Sequence, residues 1–108
     1  MVWLGHSESQ GLALLEAWST DVPTIVVGHA GPLSIGGVTV IAEPAPFLTR
    51  ERGTLVSSAA DVFEHVNMVA TDPRVSPRAS VADAFSLARC AAAYMDIAFP
   101  AGTTRPCG

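Results

Sequence analysis

The sequence contains no lysine and only 15% charged residues, and these shortages exclude whole classes of function. All six basic side chains are arginines, spread from Arg50 to Arg105, and the net charge is −4. A nucleic-acid interface needs clustered positive charge, so we exclude nucleic acid as a partner. No segment approaches the roughly 20 consecutive apolar residues that span a bilayer, which predicts no transmembrane segment and a cytoplasmic location.

Residues that bind metals are also scarce. The two cysteines, Cys90 and Cys107, have neither metal-ligand spacing nor the density of a disulfide scaffold, so we expect free thiols. His29 and His65 have no partner at metal-ligand spacing either. The sequence therefore predicts neither a metal site nor a cofactor.

Hydrophobic residues, by contrast, make up 49% of the 108 residues. A chain of this length supports one small hydrophobic core. We predict one domain over residues 1–99 and a flexible C-terminal tail over 100–108. The apolar surplus favours a well-buried core, or a surface that serves partly as an interface, which allows a homo-oligomer.

The hydrophobic pattern predicts strands that alternate with helices. Three apolar runs are predicted as strands: 1–4, 23–27 and 38–42. The run 23–27, β-branched and without alternation, has the composition of a strand buried on both faces. Three helices follow from helical spacing and capping residues: 9–19, 58–70 and 77–99. The second of them has Ser57 or Ser58 as its N-cap. The glycine-rich segment 28–37 is predicted as a loop, and 47–56 is left open.

Such alternation is typical of a parallel α/β sheet with flanking helices and right-handed crossovers. Only three strands are clear, whereas the mean sheet has about five or six, so we expect a small or partial sheet. In the first helix, Leu12, Leu15 and Trp18 form the predicted apolar face. Trp3 and Trp18 are predicted to belong to the core or to an interface.

The joint between the first strand and the first helix is the predicted site, because open α/β sheets bind ligands at the carboxyl ends of their strands. The first-turn amides around Ser9–Leu12 lie at the positive end of the helix dipole and can hold a phosphate or diphosphate. Gly11 allows a close approach of the backbone. The alternative is that Ser7, Glu8 and Gln10 only cap the helix.

Two glutamates flank this joint. On a continuous helix Glu8 and Glu16 lie about 12 Å apart along the axis and about 80° apart in projection. This distance exceeds the roughly 5–10 Å of a paired-carboxylate acid/base mechanism, but it suits two carboxylates that bind sugar hydroxyls at opposite ends of a diphosphate. For Glu16 alone, a solvated position on the helix is an open alternative.

The run from Ser7 to Ala17, followed by Pro23 and an apolar strand, resembles the group 1 family of GT-B glycosyltransferases. In the C-terminal nucleotide-binding domain of that family the motif is S-E-x-x-G-x-x-x-x-E-A, then about five residues, a proline and a hydrophobic strand. Glu8 and Glu16 match the two acidic residues of the E-x7-E motif. Residues 45–48 and 76–78 are weakly similar to later segments of some members.

The resemblance implies a partial Rossmann-like sheet and retaining hexosyl transfer from a nucleotide sugar, without a metal. Glu8 would contact the donor sugar at the catalytic centre, and Glu16 would hold the ribose. The backbone of the segment Ser9, Gln10, Gly11 and Leu12 would face the sugar and the diphosphate.

The resemblance covers only the C-terminal part of such an enzyme. We therefore expect the chain to bind the donor but to be inactive without the missing N-terminal part or a partner, because upstream basic residues neutralise the diphosphate in the family. An arginine would have to substitute for them; none lies within 33 residues of Glu16, and folding could bring Arg50 or Arg52 near. The competing hypothesis is a non-catalytic α/β module that acts through self-association or protein interaction. A triad of His6, Ser7 and Asp21 is disfavoured, because no Gly-x-Ser-x-Gly elbow is present.

Overall fold

The computed structural model describes residues 1–5 and 11–102. Within them the chain forms five strands, four α-helices and one 3₁₀ turn. The elements are, in chain order, β1 (Val2–Leu4), α1 (Leu12–Ser19), β2 (Thr24–Val27), β3 (Gly31–Ile35), β4 (Val38–Ala42), β5 (Gly53–Val56), the 3₁₀ turn (Ala59–Asp61), α2 (Val62–Thr71), α3 (Pro77–Phe85) and α4 (Leu87–Ala98).

A three-stranded parallel sheet with the order β1-β2-β5 forms the centre of the fold. The central β2 pairs with both neighbours, so that Val26 lies between Trp3 and Leu55. Thr24, Ile25 and Val26 are buried, as expected for a β-branched strand covered on both faces. The prediction of a small parallel sheet with flanking helices is confirmed at this level.

The third strand of the sheet is β5, which the sequence left open, and not β4. The predicted loop over 28–37 is wrong, because it contains β3, which pairs with β4 as a separate antiparallel hairpin. Gly36 and Gly37, both with positive φ, form its two-residue turn. Leu33 pairs with Val40 and Ile35 with Val38, so the apolar side chains alternate onto one face of the hairpin.

Helix α1 packs against the sheet through Leu14 and Trp18, both fully buried. The predicted apolar face is correct for Trp18 and for Leu15, which packs against the core, but wrong for Leu12, whose exposed fraction is 64%. Residues 14 and 18 are one turn apart, whereas residue 12 points about 160° away from residue 14. Trp18 Nε1 also donates a hydrogen bond of 3.1 Å to Thr24 Oγ1.

The buried Arg52 joins the segment before β5 to α3. Its Nη1 donates to the carbonyl of Phe47 at 2.6 Å, and its Nε and Nη2 donate to the hydroxyl and the carbonyl of Ser80. The guanidinium also lies over the rings of Trp18 and Phe85, 5.6 and 5.3 Å from their centroids. Burial lowers the pKa of Arg52 from its usual value.

The C-terminal helices begin at serine and proline signals, as predicted. Ser58 Oγ accepts a hydrogen bond from the Ala60 N–H ahead of α2, and Pro77 occupies the first turn of α3. The single helix predicted over 77–99 is wrong, because Ser86 adopts φ −60° and ψ 148°. Its hydroxyl accepts from the Arg89 N–H at 3.2 Å, which starts α4 as a new helix.

The radius of gyration is 17.5 Å, whereas a compact domain of this length has about 13 Å. The difference reflects the β3–β4 hairpin and α4, which extend from the sheet; the main partner of α4 within the described residues is α3. In the part of the chain that the structure describes, no helix has the length and hydropathy to cross a bilayer. The predicted tail beyond Gly102 lies outside the described residues.

Candidate functional site

The carboxyl ends of the three parallel strands meet at one edge of the sheet, where an open α/β sheet binds its ligands. A cavity of about 390 Å³ opens at this edge, between the ends of β1, β2 and β5. It is lined by Leu4, Gly5, Val27, Gly28, His29 and Ser57. This volume falls within the range of small-molecule sites.

The amino end of the same sheet has a depression of about 400 Å³ beside α2, lined in part by Arg50, His65 and Asp72. Each of these three side chains makes a polar contact within the protein. Asp72 accepts from Arg50 Nε at 3.3 Å and from Arg74 Nε at 3.0 Å, and His65 Nδ1 lies 2.9 Å from the Asp61 carbonyl. The carboxyl edge is therefore the better candidate site.

Helix α1 begins beside this edge, after the segment that leaves β1. Gly11 adopts a left-handed conformation with φ 65° and ψ 50°, and its carbonyl accepts from the N–H groups of Leu14 and Leu15. The N–H groups of Leu12 and Ala13 precede these bonds, so they are the first-turn donors at the positive end of the helix. The predicted first turn thus moves from residue 9 to residue 12.

The later start of α1 removes the basis for the expected distance between Glu8 and Glu16. The distance of about 12 Å between Glu8 and Glu16 assumed one continuous helix, which the left-handed Gly11 interrupts. Glu8, Ser9 and Gln10 lie outside the described residues, as do the predicted cap at Ser7 and His6. The distance of about 12 Å between the two glutamates therefore does not follow from the helix that the structure describes, which begins at Leu12.

Of the predicted site residues that the structure describes, Gly11 is buried and Leu12 and Glu16 are exposed. Leu12 and Glu16 are one turn apart on α1, on the side opposite the buried Leu14 and Trp18. A ligand that contacts Glu16 must therefore run along the outer side of α1, beyond the cavity at the ends of the strands.

The arginines proposed to neutralise a diphosphate do not reach this edge. Arg50 and Arg52 precede β5, so they lie at the amino end of the sheet, whereas the cavity is at the carboxyl end. Arg52 is in addition buried and bonded to Phe47 and Ser80. The expectation that folding brings either arginine to the site is wrong, because the strand β5 separates them from it.

His29 and Ser57 are cavity residues that the sequence did not single out for this role. They follow the last residues of β2 and β5, Val27 and Val56, within two positions. The signal for Ser57 was hidden because β5 was not recognised as a strand. Once the ends of β2 and β5 are known, the polar residues that follow them are the expected ligand contacts at this edge.

Two further observations concern the chemistry of this edge. Trp3 Nε1 is buried and has no hydrogen-bond partner within residues 1–5 and 11–102, and it faces the start of the segment after β1. Over the same described ranges, no three His, Cys, Asp or Glu side chains form a group that could hold a metal ion.

Comparison with protein-family models, with curated proteins and with solved structures found no match for this chain.

Substitution of Arg52 tests whether this side chain holds the segment before β5 against α3. We expect Arg52→Met to lower the free energy of unfolding by about 2–3 kcal/mol, because the carbonyls of Phe47 and Ser80 lose a buried donor. The matched control is Arg50→Met, whose side chain is exposed and pairs with Asp72 at the surface. Its expected cost is about 1 kcal/mol or less. Urea unfolding followed by circular dichroism compares the two, and equal midpoints would contradict the role of Arg52.

Proposed function

We propose that this chain binds a nucleotide-sugar donor as the C-terminal portion of a retaining GT-B glycosyltransferase. One observation carries the proposal: a cavity lies at the carboxyl edge of the parallel sheet, and α1, which follows β1 in the chain, starts after a left-handed glycine. The run that resembles the donor motif of that family, Ser7 to Ala17, follows β1 in the chain and includes the first six residues of α1. The Rossmann-like interpretation of the three-stranded sheet belongs to the same proposal.

The roles of individual residues follow from charge and position. The N–H groups of Leu12 and Ala13 would bind the diphosphate at the positive end of α1. Glu16 would accept hydrogen bonds from the ribose hydroxyls on the outer side of the helix, and Glu8 would contact the donor sugar. His29 and Ser57 would contact the donor from the facing strand ends.

We propose donor binding without turnover for the isolated chain. Transfer from a nucleotide sugar builds negative charge on the leaving diphosphate, and fixed cations near that charge are the main means of stabilising it. The chain has no lysine, and Arg50 and Arg52 lie at the opposite end of the sheet. We assign the cations to another chain or to a further part of the enzyme.

Calorimetric titration with UDP-, GDP- and ADP-sugars and with the free nucleoside diphosphates tests the proposal. We expect a dissociation constant of about 0.1–1 mM for one nucleotide, since binding uses few contacts and no cationic side chain. The absence of binding to every ligand at millimolar concentration would refute the donor site.

Glu16→Ala tests the assignment of the ribose contact. We expect it to weaken binding of the preferred nucleotide about tenfold, because a charge-assisted hydrogen bond to a ribose hydroxyl is lost. The matched control is Glu64→Ala, an exposed glutamate on α2. Glu64→Ala should leave the affinity for the nucleotide unchanged. Equal affinities of the wild-type chain and Glu16→Ala would reject the role of Glu16 while leaving donor binding intact.

The second candidate function is a non-catalytic α/β module that acts through self-association. It is favoured by β1, which is an edge strand of the sheet within the described residues and on which Val2 and Leu4 are exposed, and by the apolar face of the hairpin. A folded chain that forms stable oligomers and binds no nucleotide would support this function over the first.

A further inference from the structure

Helix α4 has an apolar face that is exposed to solvent. The exposed fractions of Leu87, Tyr94 and Ile97 on this helix are 87%, 68% and 81%. Arg89 and Asp96, the two charged residues of α4, lie together on the opposite side of the helix. The helix is therefore amphipathic, but its apolar side faces solvent instead of the core.

The centre of this face is a seam of four residues spaced four, three and four positions apart. These residues are Leu87, Ala91, Tyr94 and Ala98. This is the spacing by which one helix packs along another. Large and small side chains alternate along the seam. A partner helix packs closely against it only if its small side chains lie opposite the large ones of α4.

Two copies of this seam complement each other when the helices run antiparallel. With the centre of the pair between residues 92 and 93, Leu87 of one copy faces Ala98 of the other, and Tyr94 faces Ala91. Each large side chain thus meets a small one, which allows close packing without voids. The flanking positions follow the same rule, because Ile97 faces Ala88. In a parallel pair, large side chains would face large ones and leave gaps between the alanines.

We propose that the apolar face of α4 is a homodimer interface, formed by two antiparallel α4 helices about a twofold axis. The pairing is isologous, so both copies use the same surface. Because α4 has 12 residues and is about 18 Å long, the helix pair forms a small interface, below the roughly 1,200 Å² of standard complexes, and we expect a weak dimer. The proposal is independent of donor binding, because the proposed donor site is formed by α1 and the carboxyl ends of the parallel strands and does not include α4.

Sedimentation equilibrium of the full chain measures the assembly directly. The chain mass is 11.2 kDa, so a dimer has twice that mass. We expect mainly dimer at about 100 μM protein, with a dissociation constant of about 10 μM. Ala91→Glu should raise this constant by at least about tenfold, because it buries a carboxylate without a partner at the centre of the seam.

The matched control is Ala93→Glu, the same exchange two residues away on the charged side of α4. It should leave the dimer unchanged, and circular dichroism should show the same helix content for both variants. A third sample tests the antiparallel pairing, in which position 91 of one copy faces position 94 of the other. Ala91→Glu mixed with Tyr94→Lys should form a mixed dimer that is tighter than the dimer of either variant alone, because opposite charges then face each other; in a parallel pair position 91 faces position 91 and the mixture gains no such contact.

A monomeric wild-type chain at 100 μM would overturn the proposal. So would a dimer that persists in Ala91→Glu, which would assign the assembly to β1 or to the hairpin. Dissociation by Ala91→Glu and by Ala93→Glu to the same degree would also contradict it, since the effect would then not depend on the face.

Discussion

Trp18→Ala should lower the free energy of unfolding by about 3–5 kcal/mol, the largest single loss that we expect from a core residue. Trp18 is fully buried and packs with Leu14 and Val26. Its indole also donates to Thr24 Oγ1, and Arg52 covers its ring. Removing it leaves a cavity between α1 and the sheet and an uncovered guanidinium. Since small domains are stable by only about 5–15 kcal/mol, this variant should be largely unfolded in mild urea.

Urea unfolding followed by circular dichroism measures this loss. The control is Leu12→Ala in the same helix, because Leu12 is exposed and does not belong to the hydrophobic core. We expect a cost below about 1 kcal/mol for that variant. If Leu12→Ala destabilised the chain as much as Trp18→Ala, α1 would have to be rotated about its axis relative to the structure.

Gly53→Ala should destabilise the chain by at least about 3 kcal/mol, because a side chain at this position has no space. Gly53 has φ 157° and starts β5, directly beside Thr24 of the central strand. A Cβ atom there would overlap the carbonyl of Thr24, which is backbone and cannot rotate away. The β2–β5 pairing would have to separate at its first residue pair.

Gly36→Ala is the matched control for this prediction. Gly36 also has a positive φ of 58°, but a Cβ atom there would meet nothing within 4 Å. We expect only the conformational cost of a left-handed alanine, about 1 kcal/mol. Thermal unfolding should therefore rank wild type above Gly36→Ala and both above Gly53→Ala. The reverse order of the two variants would contradict the register of β5.

Much of the local structure could be predicted because it depends on neighbours in the chain. The β-branched run at 24–27 forms the central strand, and Ser58 and Pro77 stand at the starts of helical segments. Each of these signals acts within about four residues, through side-chain hydrogen bonds or restricted dihedral angles. The break at Ser86 was missed because apolar spacing continued across it, although serine is a strong N-cap.

The candidate site was only partly predictable. The position of the joint after β1 followed from the order of the elements, and the structure describes a cavity beside it. The contributions of His29 and Ser57 depend on which strands are neighbours, and that required β5. The distance between Glu8 and Glu16 rested on a continuous helix, which a left-handed Gly11 does not permit.

The sequence by itself determined the unit formed by β1, α1 and β2, and the serine and proline signals at the starts of the later helices. Only the tertiary structure decided that β5 and not β4 completes the parallel sheet, and that Leu14 and not Leu12 enters the core. It also decided that Arg52 is held against Trp18 at the amino end. These outcomes depend on pairing and packing between residues far apart in the chain, whose free energies no local pattern contains.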